Sequence, residues 1–462
     1  MIKQHLIIFS AITIIHSSSL LAQEMPAEFR SFQLKKLSLE TGNKWEEKTI
    51  FGPIEFDHNG VRSDSLKTEA RFGTMLFNNK KMLYAFGHFT FKKNYHGYLY
   101  PRVVDFPEKF NRFSGISRDI SRGGFYAGET DISGISFQNN WMTLQFGRGR
   151  QSWGAGNDIQ ICLSENSNSY DYGLLDLDFG KLRVRYFHGY LETDSLAHNR
   201  YITGRGIEWN NENNLLLGLS EVIIYSGKNR PIDFAYFNPI STHLELELNN
   251  RQNNLGTGNG NGVWQLSFDC KPFNKFRFAG NYLFDEFTLD KQQTNAGKGS
   301  GRAFSLKSTY SIINDKESIL IFYLTHISVG TNTFKHQNGN NNFVQREKPL
   351  GWVNGSDSKE SKVGLSGTYN KSFILNLEYG MKEIGENNIL TNPYRGYTEY
   401  LAGPFPSGLV ENVSFGFARF QWWMSSYFSV IAEMKHSSSN KLGKNFEWII
   451  GFDIYYGVNK YL

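Results

Sequence analysis

The chain has 462 residues, and its 49 Lys and Arg are balanced by 44 Asp and Glu, a formal net charge of +5 spread along the whole length. That balance excludes a dedicated nucleic-acid binder, whose cations gather in one patch or stripe. With 38 Phe, 24 Tyr and 9 Trp beside a mean hydropathy of −0.44, the composition is foreign to a soluble core built on Leu, Val and Ile, and it fits a membrane barrel with an aromatic outer band and a polar lumen.

At the amino terminus Lys3 and His5 precede an apolar stretch from Leu6 to Ile15, and Ser17 to Ala22 supplies small residues before Gln23. This predicts a secretory signal peptide over 1–22, with no Cys at the junction to mark a lipoprotein. Residues 23–66 carry no decisive pattern. Residues 67–462 read as one barrel domain, without internal repeat or linker. The longest later apolar run, Ile319 to Leu324, has the length of a strand and not of a membrane helix.

Next along the chain, Phe106, Phe110, Phe113, Ile116 and Ile120 recur at three- and four-residue spacing behind Pro107, which fits either one short helix able to plug or cap the barrel or a loop with incidental aromatics. Dyad alternation follows. Leu182, Val184, Tyr186 and Tyr190 alternate with Lys181, Arg183, Arg185 and Phe187, and Leu244, Leu246 and Leu248 alternate with Glu245 and Glu247. Phe276, Phe278, Tyr282 and Phe284 stand against Arg277 and Asn281, and Phe373, Leu375, Leu377 and Tyr379 against Asn376 and Glu378. The clearest strand is the last, where Phe446, Trp448, Ile450, Phe452, Ile454, Tyr456 and Val458 share one face. Its length favours a tilted membrane strand over a sandwich strand. If the apolar faces meet lipid, Arg183, Arg185, Arg277, Glu245, Glu247 and Glu378 line a wet lumen, with Arg183 and Arg185 balanced by Glu245 and Glu247.

Tight turns at Asn78 to Lys80, Asn139-Asn140, Gly180-Lys181, Asn210 to Asn213, Lys271 to Asn274, Asn314 to Lys316 and Asn370-Lys371 are interspersed with long polar stretches at 150–172, 226–239, 249–262, 288–300, 329–360 and 383–410. Short turns at one end and long loops at the other are how outer-membrane barrels are connected. The rhythm breaks around 226–262, which predicts a further strand over Ile232 to Phe237. The expected fold is an all-β, closed, transmembrane antiparallel barrel with an even strand number between about 16 and 20. Cys162 and Cys270 fall in separate strands with no ligand-spaced partner; they read as isolated cysteines, with a single disulfide left open.

The ordered blocks Phe146 to Gly156 (FGRGRQSWGAG), Leu163 to Asn166, Arg183 to Gly189, Gly218 to Tyr225 and Tyr236 to Pro239 together resemble the Wzi-type capsule assembly family of outer-membrane proteins. The resemblance implies a barrel of about eighteen strands with a helical element at the periplasmic mouth. It also implies an outer-membrane, lectin-like protein that binds capsular or other surface polysaccharide and helps attach or assemble the capsule. Outer-membrane lipid is then a second partner, and no cofactor is implied. The sequence departs from that pattern in offering one helix candidate and in lacking family motifs beyond about residue 290.

Acidic, hydroxyl-rich glycans call for planar Arg donors and aromatic faces. Arg148, Arg150 and Trp153 supply both among flexible glycines, while Arg183, Arg185 and Glu221, which interrupts the apolar run Leu215 to Tyr225, are further candidate glycan contacts. The bland alternatives are a bent strand end with Trp153 in the aromatic girdle, and lumen charges that balance one another. The Gly-rich run lacks the Gly-Lys-Ser/Thr ending of a phosphate loop, and Ser164, His188 and Glu221 have no reaction-specific spacing, so a non-enzyme is expected. A channel or substrate transporter is the alternative function.

Overall fold

The last strand shows how the sequence builds the wall. Phe446, Trp448, Ile450, Phe452, Ile454, Tyr456 and Val458 all stand exposed on its outer face, while Asp453 on the other face is buried and meets Arg71 at 3.0 Å. Because strand side chains alternate with period two, one face serves lipid and the other the lumen. The computed structural model describes residues 24–53, 65–78, 80–110, 112–248, 260–285, 295–392 and 401–461. The leader expected at 1–22 lies outside them.

The strands are β1 (Leu66–Phe77), β2 (Lys80–Phe91), β3 (Tyr95–Val104), β4 (Ala127–Gln138), β5 (Met142–Gly149), β6 (Tyr170–Asp178), β7 (Leu182–Thr193), β8 (His198–Asn210), β9 (Leu215–Lys228) and β10 (Gly260–Phe273). They continue with β11 (Phe276–Phe284), β12 (Arg302–Asn314), β13 (Ile319–Val329), the small hairpin β14 (Val344–Gln345) and β15 (Lys348–Pro349), then β16 (Ser358–Tyr369), β17 (Phe373–Ile384), β18 (Glu411–Ser425), β19 (Phe428–Ser439) and β20 (Gly443–Tyr461). All except the hairpin belong to one 18-stranded sheet. It closes where β20 pairs antiparallel with β1, from Tyr461 opposite Lys67 to Gly451 opposite Phe77, and closure leaves no open edge in lipid.

The start of β1 and the end of β20 lie at the end that carries the tight turns at 92–94, 139–141, 179–181, 211–214, 274–275, 315–318, 370–372 and 426–427. The connections 105–126, 150–169, 229–259, 285–301, 330–357 and 385–410 leave the opposite, long-loop end. The tight turn after β1 and the short turns 194–197 and 440–442 also sit there, against the rhythm read from sequence.

Three local expectations are corrected. Among the described residues of 106–120 the helical element is a 3-10 turn at Pro107–Lys109, so the loop reading holds over the helix: Arg112 takes a positive φ of 58°, and Phe110 and Phe113 cluster with Tyr84, Tyr98 and Tyr100. The strand expected at Ile232 to Phe237 is a short helix, α2 (Phe234–Phe237), capped by the Asp233 carboxylate accepting from the Ala235 amide. The strand expected from Leu244 to Leu248 lies in α3 (His243–Leu248); three alternating residues fit a helical turn as well as a strand. The longest helix among the described residues lies where no pattern was legible. It is α1 (Arg30–Thr41), ended by Gly42 at φ 66°, a left-handed cap that suits glycine. Among the described residues no helix is long and apolar enough to cross a membrane.

Candidate functional site

The lumen is filled by the chain itself. An apolar cluster joins Trp45, Ile50 and Phe51 of the amino-terminal segment, Trp153, Ile159, Ile161 and Leu163 of the β5–β6 connection, and Phe334, Phe343, Leu350 and Trp352 of the β13–β16 connection. It rests on inward-facing Phe187, Ile202, Val222 and Ile224 of the wall. Backbone bonds stitch the segments together: Gly52 N donates to Ser152 O at 2.8 Å, Gly154 N to Ile50 O at 2.8 Å, Trp153 N to Leu163 O at 3.2 Å, and Trp352 N to Ile161 O at 3.0 Å. Buried loops need such partners for their polar backbone. Phe51 meets Trp153 edge-on at 4.8 Å.

Charges fasten the plug to the wall. Glu40 of α1 receives Arg277 at 2.7 Å and Lys307 at 3.2 Å, and Lys48 lies 3.1 Å from Asp269. Burial alone would raise the Glu40 pKa, but Lys307, Arg277 and Lys48 outweigh it and hold the carboxyl below its ordinary value. Burial, reinforced by the Arg277 guanidinium, brings the Lys48 ammonium down to about 7. Lys36 reaches Asp158 on the β5–β6 connection at 2.6 Å.

Each residue singled out in the sequence has a definite place. Trp153 is fully buried in the plug, with its indole N–H donating to Gln151 Oε1 at 3.1 Å. Arg150 is buried too: it meets Asp131 at 2.6 Å and donates to the Ser167 carbonyl at 2.6 Å, beside Arg102, which holds Glu28, Glu129 and Asp131. Arg183 and Arg185 find their partner within the wall. Both grip Asp176 of the neighbouring β6, Arg183 at 2.5 Å, and Arg185 also donates to Gly52 O at 2.8 Å. Glu245 and Glu247 belong to α3, in a connection, and so are not wall residues of the lumen. Arg148 is the candidate that keeps exposure. It points outward at the long-loop end of β5, donating to both Asp171 oxygens at 3.0 and 2.9 Å. Glu221 also points outward, buried beside Arg205. Cys162 lies in the plug and Cys270 on the outer side of β10, so both are free.

The plug partners Ile50, Phe51, Leu350 and Trp352 and the shared carboxylate Asp176 escaped the sequence reading. Only Asp176 left a signal, an acidic residue in phase with Tyr172 and Leu174 on a strand beside Arg183 and Arg185.

No protein-family model and no curated protein matches the chain. Among solved structures it is similar to Wzi, an outer-membrane protein involved in group 1 capsule assembly in Escherichia coli, itself a carbohydrate-binding β-barrel: TM-score 0.55, 11% identity, covering 86% of this chain and 84% of that one. It is also similar to OprD of Pseudomonas aeruginosa, with TM-score 0.43, 10% identity, and 87% and 98% of the two chains covered. The chain has an outer-membrane β-barrel fold. At these identities the likeness extends to the fold alone.

Proposed function

We propose that the protein is a non-catalytic binder of surface polysaccharide, capsular polysaccharide foremost, that helps attach or assemble a capsule at the cell surface of a Gram-negative bacterium. The observation that carries this reading is the lumen packed with the chain's own apolar side chains, which supports a barrel that presents its long-loop end over one that conducts. The carbohydrate binding named for the Wzi barrel agrees with it.

In this reading Arg148, beside Asp171 at the rim, makes direct glycan contact as a planar donor. Arg150, Trp153, Arg183 and Arg185 act through the plug that they hold, and Glu221 acts through the segment that covers it. Binding of the purified, folded barrel to capsular polysaccharide from its own source, with an unrelated acidic glycan as control, tests the proposal. Saturable, selective binding is expected, and its absence from a folded barrel refutes it.

The charged wall behind the plug favours one second reading, a channel or substrate transporter opened when the plug moves. Steady conductance across a planar bilayer would support it.

A further inference from the structure

The described part of the β9–β10 connection, 229–248, folds over the outside of the wall. On β9 Ser226 faces the lumen, where its hydroxyl donates to Asn341 Oδ1 at 2.6 Å, and Ile224 and Val222 share that face within the plug cluster. Tyr225, Ile223 and Glu221 therefore project outward, yet none is more than 1% exposed. The cover is α2 and α3. Tyr236 stacks on Tyr225 with ring centroids 4.3 Å apart and planes 13° from parallel. The Tyr186 hydroxyl donates to Phe237 O at 2.7 Å, and Glu221 Oε1 accepts from His243 N at 2.9 Å. Gly262 makes the close approach possible, because a Cβ there would come within 2.4 Å of the His243 ring.

What lies beneath the cover is unfit for hydrocarbon. Arg205 on β8 also points outward, with Nε 3.4 Å from Glu221 Oε2, and among the described residues its guanidinium nitrogens have no hydrogen-bond partner. A charge pair so poorly satisfied is costly in a bilayer. Farther along the same two strands, toward the short-turn end, Ile207, Trp209, Leu217 and Leu219 stand exposed as ordinary lipid-facing residues. On β8 and β9 the apolar belt thus stops halfway. It resumes on the outer side of the cover, where Phe234 is 77% and Ile240 84% exposed, together with Ile232, Phe237 and Leu244.

We propose that residues 229–248 form a membrane-embedded flap. Its apolar outer side replaces the missing half of the belt and docks into the acyl layer of the leaflet nearest the long-loop end, while its inner side keeps Arg205 and Glu221 out of lipid. The occupant follows from continuity with the belt of Ile207, Trp209, Leu217 and Leu219.

The test uses the full mature protein in phospholipid vesicles with Cys162→Ser and Cys270→Ser, carrying a nitroxide at Ile240→Cys or, separately, Phe234→Cys, both exposed positions. Leu217→Cys serves as the belt control and Asn140→Cys as the water control. The flap predicts that both labels collide with oxygen and are shielded from a water-soluble nickel chelate as strongly as the label at Leu217. Access to the chelate matching Asn140 overturns the proposal by placing the segment in water. Shielding from oxygen and nickel alike also overturns it, by placing a protein partner, such as a second copy of the chain, on this face.

Discussion

Two connections leave the same rim and fold back on opposite sides of one wall. The β5–β6 connection turns inward with Trp153, Ile159, Ile161 and Leu163 and packs on Phe187, Ile202, Val222 and Ile224. The described part of the β9–β10 connection, 229–248, turns outward and covers Tyr186, Arg205, Glu221 and Tyr225. In the long-loop half of this sector β8 and β9 invert the usual barrel polarity, with apolar Ile202, Val222 and Ile224 toward the lumen and charged Arg205 and Glu221 on the covered outer face. Each connection goes where the wall would otherwise face the wrong solvent, so polarity along a strand dictates the side on which its loop settles.

The largest effects are expected at the buried anchors. Asp176→Ala leaves Arg183 and Arg185 buried without their shared carboxylate and is expected to cost about 3–5 kcal/mol, read as a lower temperature for the heat-induced gel shift of the folded barrel. Trp153→Ala opens a cavity in the plug at a similar cost of about 3–5 kcal/mol, with faster hydrogen exchange in 45–53 and 150–169 and unchanged exchange in 229–248. Tyr236→Ala is expected to give the converse, exchange rising in the flap alone. If either variant loosens both segments equally, the two sides of the wall are not independent.

Acid distinguishes the sides further. Glu40, held below its ordinary value, stabilises the seated plug above the free carboxylate pKa of about 4.3, a contribution lost as pH falls through the lower folded value. Lys48, brought down to about 7, binds fewer protons seated than free between that value and about 10.4, so seating strengthens as pH rises across that window and is weakest below it. Both signs predict that acidification loosens the amino-terminal segment 30–53. Protease cleavage within 30–53 should rise as pH falls, and Lys48→Met should flatten the response around neutrality.

The smallest stability effect belongs to the rim. Arg148 and Asp171 form a solvent-exposed pair, so Arg148→Ala should change stability by less than about 1 kcal/mol. It should nevertheless weaken glycan binding measurably by surface plasmon resonance, and unchanged binding would remove Arg148 from the contact surface.

How much of this was legible in the sequence follows the same physics. β20 is readable because lipid meets its outer face along the whole strand, and it enforces an unbroken alternation from Phe446 to Val458. The sector of β7 to β9 is harder, since neither face of Glu221, Val222, Ile223 and Ile224 meets open solvent or lipid and all four are buried. Leu244, Glu245 and Leu246 alternate like a strand because α3 is too short to display a helical period. The Gly/Arg/Trp run 146–156 announced itself as unusual, yet its inward course depends on Phe51, a hundred residues earlier, with which Trp153 forms an isolated antiparallel bridge. Such long-range pairing leaves no local mark.

Whether the barrel is filled by its own chain is read by single-channel recording in a planar bilayer of the protein from residue 23 onward, alongside a variant that also lacks 24–53. A filled barrel stays silent and conducts once those residues are removed. Steady conductance from the intact protein would contradict it.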